Sequence, residues 1–272
     1  MAPGTGDAFG ARLIEAAGFE AIYLSGFVAA ATYGVPDVGL LGREEMSERA
    51  AQICDATALP VVADADDGYG GVNNVARTVR AFERAGVVAL HIEDQAAPKK
   101  CGSMAGKRLV SAGEMAGKIK AALDARSDEN LLLIARTDAY AVEGRAAVAE
   151  RVQAYAEAGA EMLLVHGPYD EAVARDLIAA APVPMAYFHS ETLTMPILPP
   201  ATLQALGVPL ALYPLSMLLA ATKSMRAALD AIRDGGDTQP FMRSSMVDAG
   251  TVNELLGLPA LKQAEERWSP KT

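Results

Sequence analysis

The chain alternates between short runs of β-forming residues and helical patterns rich in alanine, with a new run about every 25 to 35 residues. Such alternation is typical of a parallel sheet whose strands are joined by helical crossovers. An eighth strand would have to precede Gly4-Thr5-Gly6, so we expect a shortened first strand and N-terminus. Seven runs are predicted to be strands: Ala21–Ser25, Pro60–Asp64, Val87–Glu93, Leu131–Thr137, Met162–His166, Val183–Phe188 and Pro209–Tyr213.

Helical patterns fall between or after these strands, and a length of 272 residues fits one eight-fold barrel. We therefore predict a single (β/α)8 domain over residues 1–272, with 236–272 as a C-terminal helical extension that packs on a partner subunit. In such a barrel the polar strand ends meet on one face, whereas an open doubly wound sheet would spread them along a crevice. The predicted helices are about Asp7–Ala17, Arg43–Ala58, Gly71–Ala85, Ser111–Ala125, Gly144–Ala158, Asp170–Ala181, Leu215–Arg233, Thr251–Leu256 and Ala260–Trp268, with a Pro200–Leu206 turn as a shorter crossover.

Composition excludes several function classes. A net charge of −10 with dispersed basic residues argues against a nucleic-acid surface, which needs a clustered basic face. No run of eighteen apolar residues and no charged-then-apolar leader is found, so we expect no membrane span and a cytoplasmic protein. Two cysteines, Cys54 and Cys101, make no disulfide framework.

Three carboxylates, Asp64, Asp66 and Asp67, crowd the end of one predicted strand. Their charges would repel one another unless a cation or protons intervene. Mg²⁺ resolves the repulsion, because it takes one or two carboxylates and leaves its other positions to water and substrate. Glu93, at the end of the next strand, would join through a water. The alternative is structural: Asp67 begins a turn and Asp64 caps the following helix.

The loop Pro98–Lys107 carries Cys101 between lysines and glycines. Lys99 and Lys100 would favour its thiolate, and the glycines would leave the loop mobile. The alternative is a surface loop with an incidental cysteine. Cys54 lies on a helical pattern with apolar neighbours, which indicates a buried structural thiol.

Arg136 ends an apolar strand, where a buried guanidinium needs an anion. We interpret it as a ligand for a substrate carboxylate, which arginine binds with two parallel hydrogen bonds. The alternative is a salt bridge to Asp138 or Glu93.

Six motifs occur in order along nearly the whole chain and together resemble the isocitrate lyase and phosphoenolpyruvate mutase superfamily. The resemblance is closest to its 2-methylisocitrate lyase and 2,3-dimethylmalate lyase types. The motifs are Tyr23-Leu24-Ser25-Gly26, Gly34-Val35-Pro36-Asp37, Asp64-Ala65-Asp66, His91-Ile92-Glu93-Asp94-Gln95, Lys99-Lys100-Cys101-Gly102 and Ala135-Arg136-Thr137-Asp138.

The resemblance implies a (β/α)8 barrel whose last barrel helix is exchanged with a neighbour in a homo-oligomer, a dimer of dimers. It also implies Mg²⁺, with Mn²⁺ as an alternative, and a small carboxylate substrate. The roles implied are metal binding by Asp64, Asp66 and, in an outer shell, Glu93; substrate binding by Ser25, Gly26, Asp37 and Gly102; and catalysis by Tyr23, Lys99, Cys101 and Arg136.

Four positions depart from the pattern that related lyases show. Ser103 stands where a histidine is usual, and Phe27 replaces a glycine. His166 stands where a strand-end glutamate is expected, and Tyr187 where an asparagine is expected. All four are assigned to the substrate pocket, so we expect a substrate bulkier or less charged than 2-methylisocitrate.

The function expected from the resemblance is carbon–carbon cleavage of a 2-hydroxy dicarboxylate or tricarboxylate, giving a 2-oxo acid and a second carboxylic acid. Two alternatives stay open. One is an oxaloacetate hydrolase, a decarboxylase or a phosphonopyruvate-type enzyme of the same superfamily. The other is a relative that binds 2-oxo acids without turnover.

Overall fold

The computed structural model of the chain describes residues 1–167, 169–192 and 195–269. Its eight strands are parallel and close into a barrel in which each strand pairs with the next and the last pairs with the first. The predicted (β/α)8 barrel is therefore confirmed. The strands are β1 (Ala2–Thr5), β2 (Ile22–Leu24), β3 (Val61–Asp64), β4 (Ala89–Glu93), β5 (Leu132–Thr137), β6 (Met162–Val165), β7 (Met185–Phe188) and β8 (Ala211–Tyr213).

The first strand lies later than the sequence pattern predicts. β1 contains Gly4 and Thr5, which the sequence pattern places after the strand. Gly4 pairs with Tyr23 of β2, and the other edge of β1 pairs with β8, so this short strand closes the barrel. A Cβ on Gly4 would lie 2.5 Å from the carbonyl oxygen of Pro214. Glycine thus permits a close backbone approach at the seam, although it forms strands poorly.

Helices cover the barrel, and α2, α6 and α11 are those that the pattern did not predict. Each of these three spans at most seven residues, too few for a 3.6-residue period to show. Within the described ranges the helices are α1 (Ala8–Ala16), α2 (Gly26–Thr32), α3 (Arg43–Ala56), α4 (Val72–Arg84), α5 (Ala112–Ala125), α6 (Ala139–Val142), α7 (Arg145–Glu157), α8 (Glu171–Ala180), α9 (Pro200–Ala205), α10 (Ser216–Gly235), α11 (Gln239–Ser245), α12 (Ala249–Leu255) and α13 (Leu258–Trp268).

Helix α4 illustrates how the barrel helices pack. Val75, Val79 and Phe82 follow one another at spacings of three or four residues and are buried on one face. That face also buries Thr78, whereas Asn73, Asn74, Arg77, Arg80 and Arg84 are exposed. The apolar spacing in the sequence therefore sets which side of each crossover helix faces the barrel.

The C-terminal helices differ from the barrel helices in their exposure. Helix α10 has no buried residue, and Met225, Leu229 and Ile232 on it are each more than half exposed. Exposed large apolar side chains also occur on α11 and α13, and at Leu256 directly after α12. A membrane-crossing helix is not found among the described residues, since none of their helices is long and apolar enough.

Candidate active site

The carboxyl ends of the strands surround a cavity that opens to solvent. This is the face on which (β/α)8 barrels build their sites. Most of the predicted site residues line it: Tyr23, Ser25, Phe27, Asp37, Asp64, Cys101, Gly102, Ser103, Arg136 and His166. Gly26, Asp66 and Lys99 line a smaller adjoining cavity, which Asp37 also reaches.

Asp64 and Asp66 lie together beside Gly26. Asp64 ends β3, and its Oδ1 accepts a hydrogen bond of 3.0 Å from the backbone N–H of Asp66. The N–H of Gly26 donates to Asp64 Oδ2 at 3.3 Å. A Cβ on Gly26 would lie 2.7 Å from Asp64 Oδ2 and 3.6 Å from Asp66 Oδ1. The glycine therefore leaves free a space that oxygens of both carboxylates face.

Lys99 lies on this carboxylate side of the site, and not beside the thiol as the sequence suggested. Its buried Nζ is 2.5 Å from both Asp37 Oδ1 and Asp66 Oδ1. The adjacent Lys100 donates from Nζ to the carbonyl of Ala105 at 3.3 Å. Both lysines that precede Cys101 are therefore held by oxygen acceptors.

Protonation differs sharply between the two neighbouring carboxyls. Burial raises the pKa of Asp66 to about 7, and the charge of Asp64 adds to the rise although Lys99 opposes it. Burial also disfavours ionised Asp64, but His91, Lys99 and Arg136 outweigh it and lower the pKa of Asp64 to about 2. At neutral pH Asp64 is ionised. A cation that binds Asp66 can displace the proton of that carboxyl into solvent.

These residues fit a site in which Mg²⁺ has few protein ligands and completes its coordination with water and substrate. Among the described residues, no three His, Cys, Asp or Glu side chains form a complete protein ligand set. Mg²⁺ needs only one or two carboxylates, which Asp64 and Asp66 offer. Glu93 is buried behind them, and in the described structure its Oε1 has no hydrogen-bond partner. Such an oxygen suits a water-bridged contact to a cation.

Arg136 lies between two carboxylates, as the structural alternative predicted, and it also lines the cavity. Its Nη1 is 3.0 Å from Glu93 Oε2, and its Nε is 2.9 Å from Asp138 Oδ2. Nη2 donates to Asp138 Oδ1 at 3.3 Å. The guanidinium carbon stands 5.4 Å from the centre of the Phe188 ring. These contacts hold the orientation of the guanidinium before any ligand arrives.

The loop lies over Arg136 through Gly102. A Cβ on Gly102 would be 2.7 Å from Arg136 Nη2 and 2.7 Å from His166 Cε1. The buried Lys107 links the loop to Asp138, because its Nζ donates to the carbonyl of Gly102 and lies 3.0 Å from Asp138 Oδ1. The sequence reading missed Lys107 because a loop lysine is expected to be solvated.

Cys101 presents its thiol to the cavity next to a hydroxyl. Its Sγ is 3.2 Å from Ser103 Oγ, and its backbone N–H donates to the carbonyl of Asp37 at 3.0 Å. The loop is therefore attached to both the carboxylate side and the Arg136 side. The thiol and hydroxyl are the proton-bearing groups of its tip.

Tyr23 is a hydrogen-bond donor in this site. Its hydroxyl lies 2.9 Å from Nε2 of His91 and 3.4 Å from Asp64 Oδ2. Burial and the charge of Asp64 raise the pKa of Tyr23 well above its usual value, so the phenol keeps its proton. Burial lowers the pKa of His91 to about 4, which leaves a neutral imidazole.

The structure does not bring Tyr187 into the cavity; Phe188 lies there instead. The Tyr187 hydroxyl donates to the carbonyl of Pro196 at 2.7 Å, away from the site. Because side chains alternate along a strand, only one of two neighbours can face inward. The resemblance assigned the position of an expected asparagine to Tyr187, one residue before the side chain that faces the cavity. The cavity residues that it missed are Phe188, Ser190, Thr192, Pro214 and Leu215.

Comparison with known sequences gives matches over nearly the whole chain. Residues 2–233 match the family described as phosphoenolpyruvate phosphomutase. The chain is 40% identical over 270 residues to 2,3-dimethylmalate lyase of Eubacterium barkeri, covering 99% of this chain and 93% of that protein. It is 40% identical over 266 residues to 2-methylisocitrate lyase of Escherichia coli strain K12, covering 97% of this chain and 88% of that protein.

Solved structures give matches of the same extent. Oxaloacetate acetylhydrolase in complex with the inhibitor 3,3-difluorooxalacetate superposes with a TM-score of 0.93 at 30% identity, covering 100% of this chain and 92% of that one. Phosphonopyruvate hydrolase in complex with oxalate and Mg²⁺ superposes with a TM-score of 0.88 at 29% identity, covering 99% of this chain and 94% of that one.

Proposed function

Because this chain belongs to the phosphoenolpyruvate phosphomutase family, we propose that its cavity is the active site of a carbon–carbon lyase. The substrate is a 2-hydroxy dicarboxylate or tricarboxylate, and the products are a 2-oxo acid and a second carboxylic acid. The observation that carries the proposal is that the Cys101 thiol, the Arg136 guanidinium and the Asp64 carboxylate line one cavity. Two relatives at 40% identity with lyase names support it.

The reaction balances without an outside oxidant. The 2-hydroxyl loses its proton to solvent, and its oxygen becomes the carbonyl oxygen of the 2-oxo acid. The bond between C2 and C3 breaks, and its electron pair passes into the carboxylate of the departing half as an enediolate. The Cys101 thiol then donates a proton to C3, as a general acid placed beside the developing carbanion. Solvent returns the proton to the thiolate.

The remaining residues hold and orient the reacting groups. Asp64 and Asp66, with Glu93 through a water, would hold Mg²⁺, which when bound supplies Lewis-acid stabilisation of oxygen charge. Arg136 orients the carboxylate of the departing half. Tyr23, as a protonated phenol, donates a hydrogen bond to a substrate oxygen beside the bond that breaks.

The loop contributes by excluding water. Gly102 lies against Arg136 and His166, and Lys107 holds the Gly102 carbonyl from below. An enediolate in a closed cavity meets the Cys101 proton and not a solvent proton. Opening of the loop would then release the products.

The test is mass spectrometry of products from purified protein with Mg²⁺ and a panel of 2-hydroxy and 2-oxo acids. We expect a 2-oxo acid to appear, and turnover to stop when EDTA removes the metal. Cys101→Ser is expected to lower kcat by about 10²–10⁴-fold, the range for a general acid. Cys54→Ser is the matched control and should keep activity. Unchanged turnover of Cys101→Ser or of the EDTA-treated enzyme would disprove this mechanism.

A second candidate function is hydrolysis of oxaloacetate, favoured by the superposition on oxaloacetate acetylhydrolase. Incubation with oxaloacetate separates the two. Oxalate with acetate would indicate the hydrolase, whereas CO₂ with pyruvate would indicate a decarboxylase. Phosphonopyruvate in the same panel tests the chemistry named for the other structural relative. Binding of oxalate with no product from the whole panel would instead indicate a non-catalytic binder.

We also propose that the enzyme is a homo-oligomer in which the C-terminal helices pack on a neighbouring copy. Exposed apolar side chains such as Met225, Leu229 and Trp268 on α10 and α13 support it. Analytical ultracentrifugation is expected to give a particle larger than one chain, up to a dimer of dimers. A monomer at micromolar concentration would contradict this proposal.

A further inference from the structure

We propose that the substrate is a 2-hydroxydicarboxylate with an alkyl group on C3, and that the cavity discriminates against a tricarboxylate that carries a carboxymethyl group there. This inference rests on the carbon–carbon cleavage proposed above and names the substrate class of that site. It follows from the charges, the hydrogen-bond donors and the apolar wall of the cavity.

The first argument is the number of positively charged side chains that line the cavity. Within the described part of the chain, Arg136 is the one arginine or lysine that lines the cavity. His166 also lines it, but burial, assisted by Arg136 and Lys107, lowers its pKa to about 3, so the imidazole is neutral at physiological pH. Asp37 and Asp64 add negative charge to the same cavity.

The second argument is how many carboxylates Arg136 can bind. A guanidinium has five N–H donors. Two already donate to Asp138, and Nη1 is in ion-pair contact with Glu93. The two donors left suffice for one carboxylate held by two hydrogen bonds. Cleavage requires that carboxylate to be the one that accepts the electrons of the breaking bond, because its charge grows in the transition state.

The third argument is the surface that the substituent on C3 meets. Phe27, Phe188, Pro214 and Leu215 form an apolar wall of the cavity. Phe188 is 4% exposed and packs edge-on against Tyr23 and His166, with ring centroids 5.9 and 6.0 Å apart. It also covers one face of the Arg136 guanidinium. This ring cannot turn aside to admit a solvated anion without breaking those contacts.

Among the described residues that line the cavity, a third carboxylate would therefore find no second cation when it loses its water. The hydroxyls of Ser190 and Thr192, 2.9 Å apart, can donate hydrogen bonds but carry no charge. Burying an uncompensated carboxylate is far costlier than burying a methyl group. An alkyl substituent on C3, by contrast, gains by burial against the wall.

The test compares two substrates that differ at one position and share one product. 2,3-Dimethylmalate carries a methyl on C3, and 2-methylisocitrate carries a carboxymethyl there. Cleavage of either releases pyruvate, so the same pyruvate-coupled assay reads both. We expect kcat/KM for the dimethylmalate to exceed that for the methylisocitrate by at least about 10-fold, within the range of pocket discrimination.

A binding measurement gives a readout that does not depend on turnover. Butanoate and succinate have chains of equal length and differ by a methyl against a carboxylate. Calorimetric titration of each into the full chain with Mg²⁺ and pyruvate should show at least about 10-fold tighter binding of butanoate.

Two variants connect the preference to the wall. Phe27→Arg adds a cation at a partly exposed position without removing a core ring, and is expected to shift the kcat/KM ratio about 10-fold toward the methylisocitrate. Phe9→Arg, which adds the same cation at an exposed phenylalanine that does not line the cavity, is the matched control and should keep the original ratio. Phe188→Asn should also shift the kcat/KM ratio toward the methylisocitrate. If Phe188→Asn does not fold, Phe27→Arg alone still tests the wall.

The outcomes separate this inference from the proposed function. Equal or better use of 2-methylisocitrate would overturn the inference and leave the lyase intact. No cleavage of either acid together with preference for butanoate would overturn the lyase and support the inference about the cavity. No cleavage with succinate bound as tightly as butanoate would overturn both. A ratio unmoved by Phe27→Arg would show that the wall does not set the preference.

Discussion

The site has two sides, each of which contains a glycine packed against charged side chains. The two sides differ in how their charges are balanced. The carboxylate side consists of Asp37, Asp64, Asp66 and Lys99, and the loop side consists of Glu93, Arg136, Asp138 and Lys107. On the first, a Cβ on Gly26 would lie 2.7 Å from Asp64, and on the second, a Cβ on Gly102 would lie 2.7 Å from Arg136. On each side, the absence of a Cβ on the glycine therefore leaves room for the neighbouring charged side chain.

The charges of the two sides are balanced differently. The carboxylate side sets three carboxylates against one ammonium, and burial leaves Asp66 holding a proton up to a pH of about 7. The loop side sets two carboxylates against two cations that contact them directly. Below about pH 7 the carboxylate side thus needs a divalent cation to become fully ionised, whereas the loop side is ordered by its own ion pairs. Metal affinity and loop function should therefore be separable by mutation.

The largest effect on Mg²⁺ binding is expected from Gly26→Ala on the carboxylate side. The added methyl would displace the Asp64 carboxylate, because the two atoms would be only 2.7 Å apart. We expect Mg²⁺ affinity to fall by about 100-fold, the upper range for disturbing groups around a metal. Calorimetric Mg²⁺ titration measures it, with circular dichroism to verify folding. An unaltered Mg²⁺ affinity would show that the metal binds elsewhere.

Gly102→Ala tests the loop side in the same manner. The methyl would press on Arg136 and His166, so the loop could not seat on them. A displacement of this size costs up to about 100-fold in kcat, with Mg²⁺ affinity unchanged. Steady-state kinetics and the same titration check both halves of the prediction. Loss of Mg²⁺ affinity in this variant would mean that the two sides are coupled.

Lys107→Met removes one cation from the loop side. Asp138 would lose its 3.0 Å contact with the ammonium, and the Gly102 carbonyl would lose its donor. We expect unfolding free energy to fall by about 1–3 kcal/mol and kcat to fall, while Mg²⁺ affinity stays the same. Urea denaturation gives the first value. Lys100→Met, which removes a lysine bonded only at the loop surface, is the control and should be neutral.

The smallest effect is the pH dependence of Mg²⁺ binding. Below pH 7 the metal must expel the proton that Asp66 holds, because burial has raised its pKa to about 7. The apparent Kd should therefore weaken about tenfold for each pH unit below 7 and level off above it. Calorimetry in buffers of different ionisation enthalpy should also count a released proton. A Kd that is flat from about pH 5.5 to 7.5 would contradict this protonation state.

The pair Asp64 and Asp66 was readable from local sequence, whereas the contacts of Lys107 and Gly102 on the loop side were not. Asp64 ends β3 and Asp66 stands two residues later, so their crowding is visible in the chain itself. Lys107, Asp138 and Gly102 meet only because the loop folds back onto β5, which no local pattern reports. The same holds for Phe188, because alternation along β7 fixes that one neighbour faces inward but not which one.

By itself, the sequence determined the barrel, most of its strands and helices, and the residue types at the strand ends, because apolar period and strand-end polarity are local properties. Tertiary structure decided that Gly4 and Thr5 belong to β1, that Lys99 binds the aspartates and not the thiol, and that Arg136 keeps donors for one carboxylate. These depend on distances between atoms far apart in the chain. Such distances are set by barrel closure and loop packing, which a single run of residues does not encode.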